Sequence, residues 1–310
     1  MDISVVIPVY NEEDNIEELT DELSKALSAT GKSHEILVVN DGSTDNTQSR
    51  LKKIHIPGMT VISMTRNFGQ TPAIMAGFHH AKGDVIVTMD GDLQNDPNDI
   101  PKLLEKIDEG YDLVCGWRKE RKDNFFLRTI PSMAANSLIG LMLKTNLHDY
   151  GCTLKAFKRA IVQNLNLYGE MHRFIPAIAV WHGANITEIE VNHRPRIHGK
   201  TKYGINRVIR VFLDLLLVAF LSEYSTKPIR FFGGLSILSG LLSFISLVFV
   251  AFTKIFKGED MTGNPMLILC VLFFLVGVQL LSIGFLGEIN IRTYYESQNK
   301  KTYLIKEIIV

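Results

Sequence analysis

The 310-residue sequence is poor in the features that mark several large protein classes. Its three cysteines, Cys115, Cys152 and Cys270, lie far apart without a CxxC, which argues against zinc and a disulfide framework and fits a reducing compartment. Neither sign of charge is in excess. The 33 Lys and Arg balance 33 Asp and Glu, so no polyelectrolyte character points to nucleic acid. Neither GxGxxG nor GxxxxGK(S/T) occurs where strands would end, which leaves dinucleotide and P-loop sites unsupported. The opening "MDISVVIPVYNEE" has too short an apolar run, and is too acidic, for a signal peptide.

Two long uncharged runs are present instead. Phe231 to Thr253 carries no charge, and neither does Met261 to Gly287. A bilayer core takes about 20 apolar residues in a helix, a length that a buried soluble helix rarely reaches. Spans over 231–253 and 265–287 are therefore expected, forming a hairpin within 227–290. Its connecting loop offsets Lys254 and Lys257 with Glu259 and Asp260, whereas Lys227, Arg230, Arg292, Lys300 and Lys301 flank the hairpin outside. The positive-inside bias then places both termini, including the tail 291–310, on the cytoplasmic side of the plasma or inner membrane. Ahead of the hairpin, residues 203–226 predict an amphipathic interfacial helix. Arg207, Arg210 and Asp214 share one face of it, with the basic residues toward headgroups.

Residues 1–202 read as a cytosolic domain in which short apolar runs alternate with helical patterns: "ISVVIPVY", "HEILVVND", "TVISMT", "DVIVTMD" and "YDLVCG". That alternation implies an α/β fold with a mainly parallel sheet, and in such sheets ligands bind at the carboxyl ends of the strands. Four of those ends are polar: Tyr10-Asn11-Glu12, Asn40-Asp41-Gly42-Ser43, Thr65-Arg66-Asn67 and Asp90-Gly91-Asp92. Two carboxylates one residue apart, with glycine between them, offer oxygen ligands to a hard cation. Mg²⁺ and Mn²⁺ suit such a site, taking few protein oxygens and filling the remaining positions with water and phosphate. Asp96, followed by Pro97, predicts a helix cap rather than a ligand. His79 and His80 lack a metal-spaced partner and are expected to pack and cap. Cys152 is expected to be a small buried residue.

The stretches "VVIPVYNEEDNI", "EILVVNDGSTDNT" and "RNFGQTPAIMAGFHHAKGDVIVTMDGDLQNDP" resemble the family 2 glycosyltransferases of nucleotide-diphospho-sugar transferase (GT-A) fold. With "DYGCTLKAFKR", "RPRIHGKTKYG" and two late spans, the whole chain resembles their polyisoprenyl-phosphate group, which includes bactoprenol glucosyltransferases and dolichol-phosphate mannose synthases. The resemblance implies that Pro8, Tyr10, Glu12, Asp41 and Asp90 line a nucleotide pocket, and that Asp90, Asp92 and Gln94 hold Mg²⁺ or Mn²⁺ with the diphosphate. It implies that Arg118 reaches a donor or acceptor phosphate, that Arg128 and Ser132 bind the acceptor phosphate, and that Asp149 lies on the acceptor side. Arg196, Lys200 and Lys202 would clamp phosphates at the membrane surface.

The chemistry of that reaction agrees with such a set. A phosphomonoester is mostly dianionic near neutral pH, its second pKa being about 6, so the nucleophile hardly needs a base. It needs cations to offset its repulsion from the donor diphosphate. Asp149 is accordingly expected to orient a hydroxyl or a cation as readily as to take a proton. The expected activity is inverting transfer of a hexose from a nucleotide sugar to a polyprenyl phosphate, with UDP-glucose preferred and GDP-mannose open, and a homo-oligomer is possible in the membrane. A processive synthase is disfavoured by two spans and the lack of QxxRW. A non-catalytic membrane assembly partner is disfavoured by the retained carboxylates.

Overall fold

The computed structural model of the chain describes residues 1–119, 140, 147–163, 165, 167–195, 205–224, 227–258, 260, 262 and 264–297. Two compact units emerge, Met1–Ala219 and the remainder from Phe220.

The first unit is built on seven strands: β1 (Ile3–Val9), β2 (His34–Asn40), β3 (Met59–Ser63), β4 (Val85–Thr88), β5 (Leu113–Trp117), β6 (Lys155–Lys158) and β7 (Ile186–Glu190). They form one sheet in the order β3-β2-β1-β4-β6-β5-β7. All neighbours are parallel except β6, which runs antiparallel between β4 and β5. The five apolar runs account for β1 to β5. Strands β6 and β7 have weaker patterns, "KAFK" and "ITEIE", and extend the sheet beyond them.

Strands β1 and β2 are buried on both faces, as continuous apolar runs of β-branched residues require. One face of β1 presents Ile3, Val5, Ile7 and Val9 to the helices α1 (Ile16–Ala29) and α4 (Ile100–Asp108). The periodic Leu19, Leu23 and Leu27 of α1 are each 0% exposed. The opposite face receives α3 (Gln70–His80), which follows the short helix α2 (Thr47–Leu51) and β3. Gly77 of α3 lies so close to Val6 that a Cβ there would fall 2.2 Å from its Cγ1. Helices therefore cover both faces, and the strand ends point to one rim. His79 and His80 are exposed at the far end of α3, so they do not pack in the core.

Shorter helices α5 (Arg159–Val162) and α6 (Ile175–Trp181) follow, then α7 (Ile205–Tyr224). Asp214 of α7 accepts a hydrogen bond from the Glu170 backbone N–H at 2.9 Å. Asp214 is thus turned toward the Glu170 segment of the same unit. Leu213, Leu216 and Leu217 lie exposed.

The second unit contains α8 (Pro228–Lys257) and α9 (Pro265–Ser297), both long and apolar enough to cross a membrane. Their most apolar stretches are 22% and 11% buried within the chain, far too little for core helices of a soluble protein. Along the seam, Ser236, Ser239 and Ser243 donate to the carbonyls of Gly277, Phe273 and Cys270 at 2.7–2.8 Å. Small residues there let the two backbones approach, as packing between apolar helices demands.

Candidate active site

The polar rim is assembled from loops that follow β1, β2, β3 and β4, and from the segment leading into β6. Asn11 has φ +54°, a conformation that asparagine tolerates. Its side chain accepts from the Thr44 N–H at 2.8 Å, and its own N–H donates to Ser43 Oγ at 3.0 Å. The Glu12 N–H donates to Thr47 Oγ1 at 2.9 Å, so the ends of β1 and β2 are laced together. Tyr10 and Pro8 lie half-buried along this rim.

Asp41 is 3% exposed, and its two oxygens accept from the N–H groups of Phe68 and Gly69 at 2.7 and 2.9 Å. Burial pushes its carboxyl above the ordinary value, and these two amides oppose the rise. The carboxylate therefore holds the loop entering α3. The first residue of that helix, Gln70, donates its Nε2 to Asp90 Oδ1 at 2.8 Å.

Asp90 leaves β4 into a tight turn. A Cβ on Gly91 would lie 2.7 Å from Val9 Cγ1 and 3.4 Å from the Pro8 carbonyl, so the turn can press against β1 because that residue is glycine. Leu93 sits at φ +61° while fully buried, an uncommon state for a bulky residue that concentrates strain in this loop. Asp92 Oδ1 accepts from the Gln94 N–H at 3.2 Å, and the Asp90 N–H donates to Asn95 Oδ1 at 3.2 Å. Asp96 caps the following turn, accepting from the Asn98 N–H, and pairs with Arg194 at 3.0 Å.

From the other side, Thr153 donates its hydroxyl to Asp90 Oδ2 at 2.5 Å. Four residues earlier, Asp149 takes Arg118 through Nε at 2.7 Å and Nη2 at 3.1 Å. The side chain of Asp149 is 2% exposed and that of Arg118 18%. Burial disfavours the guanidinium charge, but Asp149 more than offsets this and raises the group above its ordinary value. Burial, then the adjacent Asp92, push Asp90 up to about 6, against the pull of Thr153, Arg118 and Lys155. Hydrogen bonds, together with the chain segments 68–70 and 149–153, thus link Asp41, Gln70, Asp90, Thr153, Asp149 and Arg118.

Among the described residues no group of three or more His, Cys, Asp or Glu is arranged to hold a metal. Cys152 is fully buried and burial raises its thiol, as expected for a packing residue.

The family profile described as Glycosyl transferase family 2 matches residues 4–165. Dodecaprenyl-phosphate galacturonate synthase of Rhizobium johnstonii is 42% identical over 99% of this chain and 93% of its own length. The chain belongs to glycosyl transferase family 2. Undecaprenyl-phosphate 4-deoxy-4-formamido-L-arabinose transferase of Edwardsiella ictaluri is 36% identical, over 99% of this chain and 94% of its own. Among solved structures, glucosyl-3-phosphoglycerate synthase of Mycobacterium tuberculosis, in complex with Mn²⁺, UDP and phosphoglyceric acid, has a TM-score of 0.56 at 21% identity, covering 71% of this chain and 78% of that one. That likeness is one of fold, and the fold is GT-A.

In this family 2 glycosyltransferase the structure gathers Asp41, Asp90, Asp92, Gln94, Arg118 and Asp149 at the rim, with Pro8, Tyr10 and Glu12 beside them. Arg128, Ser132, Arg196, Lys200 and Lys202 lie outside the described residues. Sequence reading passed over Gln70, Asn95 and Thr153, single polar residues with no motif of their own. It also passed over Lys155, although a lysine inside the apolar "CTLKAF" was a signal available to it.

Proposed function

We propose that this transferase moves a single sugar from a nucleoside-diphosphate sugar to a polyprenyl phosphate at the cytoplasmic membrane face, with inversion at the anomeric carbon. The observation that carries the reading is the meeting of Asp90 with the Arg118–Asp149 pair through one short loop. A carboxylate suited to a cation on the donor diphosphate and a fixed guanidinium suited to a phosphate are joined there. The two relatives, similar along nearly the whole chain, are named for polyprenyl-phosphate acceptors, which supports the acceptor class.

Asp90 and Asp92 fit a divalent cation. Asp92 is 8% exposed and Asp90 half-buried, burial and then the like charge of Asp92 raise Asp90, and among the described residues no further His, Cys, Asp or Glu joins them to close a cage. That donor set suits Mg²⁺ or Mn²⁺, which keep positions for water and phosphate. Bound there, the ion would neutralise charge on the departing diphosphate. Gln94 would assist as a further oxygen. Arg118 would take a phosphate in forked geometry, and Asp149 would aim it rather than act as a base. Pro8, Tyr10, Glu12 and Asp41 would border the nucleotide. Arg128, Ser132, Arg196, Lys200 and Lys202 remain proposed ligands of the acceptor phosphate. A lipid phosphate oxygen attacking the anomeric carbon directly, with the nucleoside diphosphate leaving, gives inversion.

UDP-glucose was the donor preferred from the hairpin. The relative named for galacturonate makes UDP-galacturonate the first donor to try beside it, followed by GDP-mannose. Membranes carrying the protein would be incubated with each labelled donor and undecaprenyl phosphate, with and without EDTA. The expected result is a labelled lipid from one donor, lost on chelation. Labelled lipid from none of them would overturn the transfer reading, and labelling indifferent to EDTA would remove the metal.

A further inference from the structure

Lys155 carries a charge in a place where packing alone would not require one. It opens β6, opposite Thr88 of β4 and Cys115 of β5. It is 3% exposed, and Leu154, Ala156 and Phe157 around it are 0% exposed. An ammonium in such a place is costly unless it finds acceptors, and methionine would fill a similar volume without that cost.

Its acceptors come from one loop. Lys155 Nζ reaches the main-chain carbonyls of Tyr150, at 3.5 Å, and of Cys152. These carbonyls belong to the segment 149–153, whose two ends both enter the site. At one end Asp149 grips Arg118 and accepts from the Gly151 N–H at 3.0 Å. At the other, Thr153 bonds Asp90, while Thr88 Oγ1 donates to the Thr153 carbonyl at 2.6 Å. Both carbonyls held by Lys155 lie between the two functional ends. A flexible stem with three donors can gather converging carbonyls, whereas a planar guanidinium presents its donors in a fixed fork.

We propose that Lys155 is a positioning residue of the transfer reaction. By drawing in the Tyr150 and Cys152 carbonyls, it sets the 149–153 loop so that Asp149 aims Arg118 and Thr153 aims Asp90 together. The kinetic part of this inference rests on the sugar-transfer reading above; the loop and nucleotide-binding parts do not.

The test uses the full-length protein in detergent or nanodiscs and the variant Lys155→Met. Amide exchange at Gly151 is expected to quicken by about tenfold or more, while β1 stays protected, because a local rather than global opening is created. Affinity for UDP in the presence of Mn²⁺ falls about fivefold, and kcat for lipid transfer falls on the order of 10²-fold with a smaller change in acceptor KM. Unchanged Gly151 exchange together with unchanged UDP–Mn²⁺ affinity overturns the proposal. If Lys155→Met fails to fold, Thr153→Val decides: it leaves Lys155 on its carbonyls but cuts the loop from Asp90. Weakened UDP–Mn²⁺ affinity with Gly151 still protected supports the proposal, and wild-type affinity overturns it. Should the wild-type protein transfer no sugar to polyprenyl phosphate, the functional reading falls, and exchange and UDP binding still judge the role of the loop.

Discussion

Asp149 holds Arg118 by two hydrogen bonds, at 2.7 and 3.1 Å, across 31 positions of sequence. The Asp149 side chain is nearly inaccessible, while the Arg118 side chain keeps part of its surface open. A buried acid committed to an arginine in this way is poorly placed to take a proton and well placed to aim a cation.

Asp149→Asn is expected to leave Arg118 charged but loosely aimed. Transfer should drop on the order of 10²-fold, as small misplacements of a binding group can cost that much. Stability should fall by roughly 3 kcal/mol, since a largely buried guanidinium loses its counter-charge. Combining it with Arg118→Ala should add little further loss of turnover, whereas fully additive losses would show that the two do not act as a unit.

Asp90 should trade stability for function. Its folded pKa of about 6 lies above the ordinary 3.8 because of burial and the neighbouring Asp92. Its stabilising contribution is therefore complete below about pH 4 and is lost as pH rises through about 6. In EDTA, Asp90→Asn should melt higher than wild type at pH 8, by roughly 1–3 kcal/mol, and the gap should close toward pH 4. Transfer should be abolished in the same variant. Parallel melting profiles across this range would contradict the electrostatic account.

Asp41→Ala would leave the Phe68 and Gly69 amides without their buried acceptor. A cost of about 2 kcal/mol is expected for two charge-assisted bonds. Because that loop carries Gln70 to Asp90, UDP affinity should fall even where Asp41 itself does not touch the nucleotide. Calorimetric titration with UDP reads this directly.

Gly91→Ala is a steric probe of the same turn. Its Cβ would meet Val9 Cγ1 at 2.7 Å, which forces the loop outward or displaces β1. Destabilisation of about 1–3 kcal/mol is expected from such overpacking. Turnover should fall more than the folded fraction, because Asp90 and Asp92 move with the loop. Turnover proportional to folded protein would show that the turn tolerates displacement.

Much of this site was legible before any fold was known. An uninterrupted β-branched run announces a strand buried on both faces, and the carboxylates that follow it mark the strand end, because chain alternation and burial are local properties. The cap role of Asp96 was legible for the same reason, being set by Pro97 and Asn98 beside it. The partners of Asp90 were not. Gln70 and Thr153 lie 20 and 63 positions away and carry no pattern of their own. The partner of Asp214 on α7 was not legible either, since spacing shows which residues share a face but not what that face meets.

The sequence by itself determined an α/β domain followed by two membrane-length helices, and the carboxylates at its strand ends, because periodicity, apolar length and local turn chemistry need no distant contact. Tertiary structure decided which polar residues serve those carboxylates. It inserted β6 antiparallel beside β4, and so brought the 149–153 loop between Arg118 and Asp90 with a buried lysine beneath it. That juxtaposition depends on strand order and direction, which no local pattern encodes.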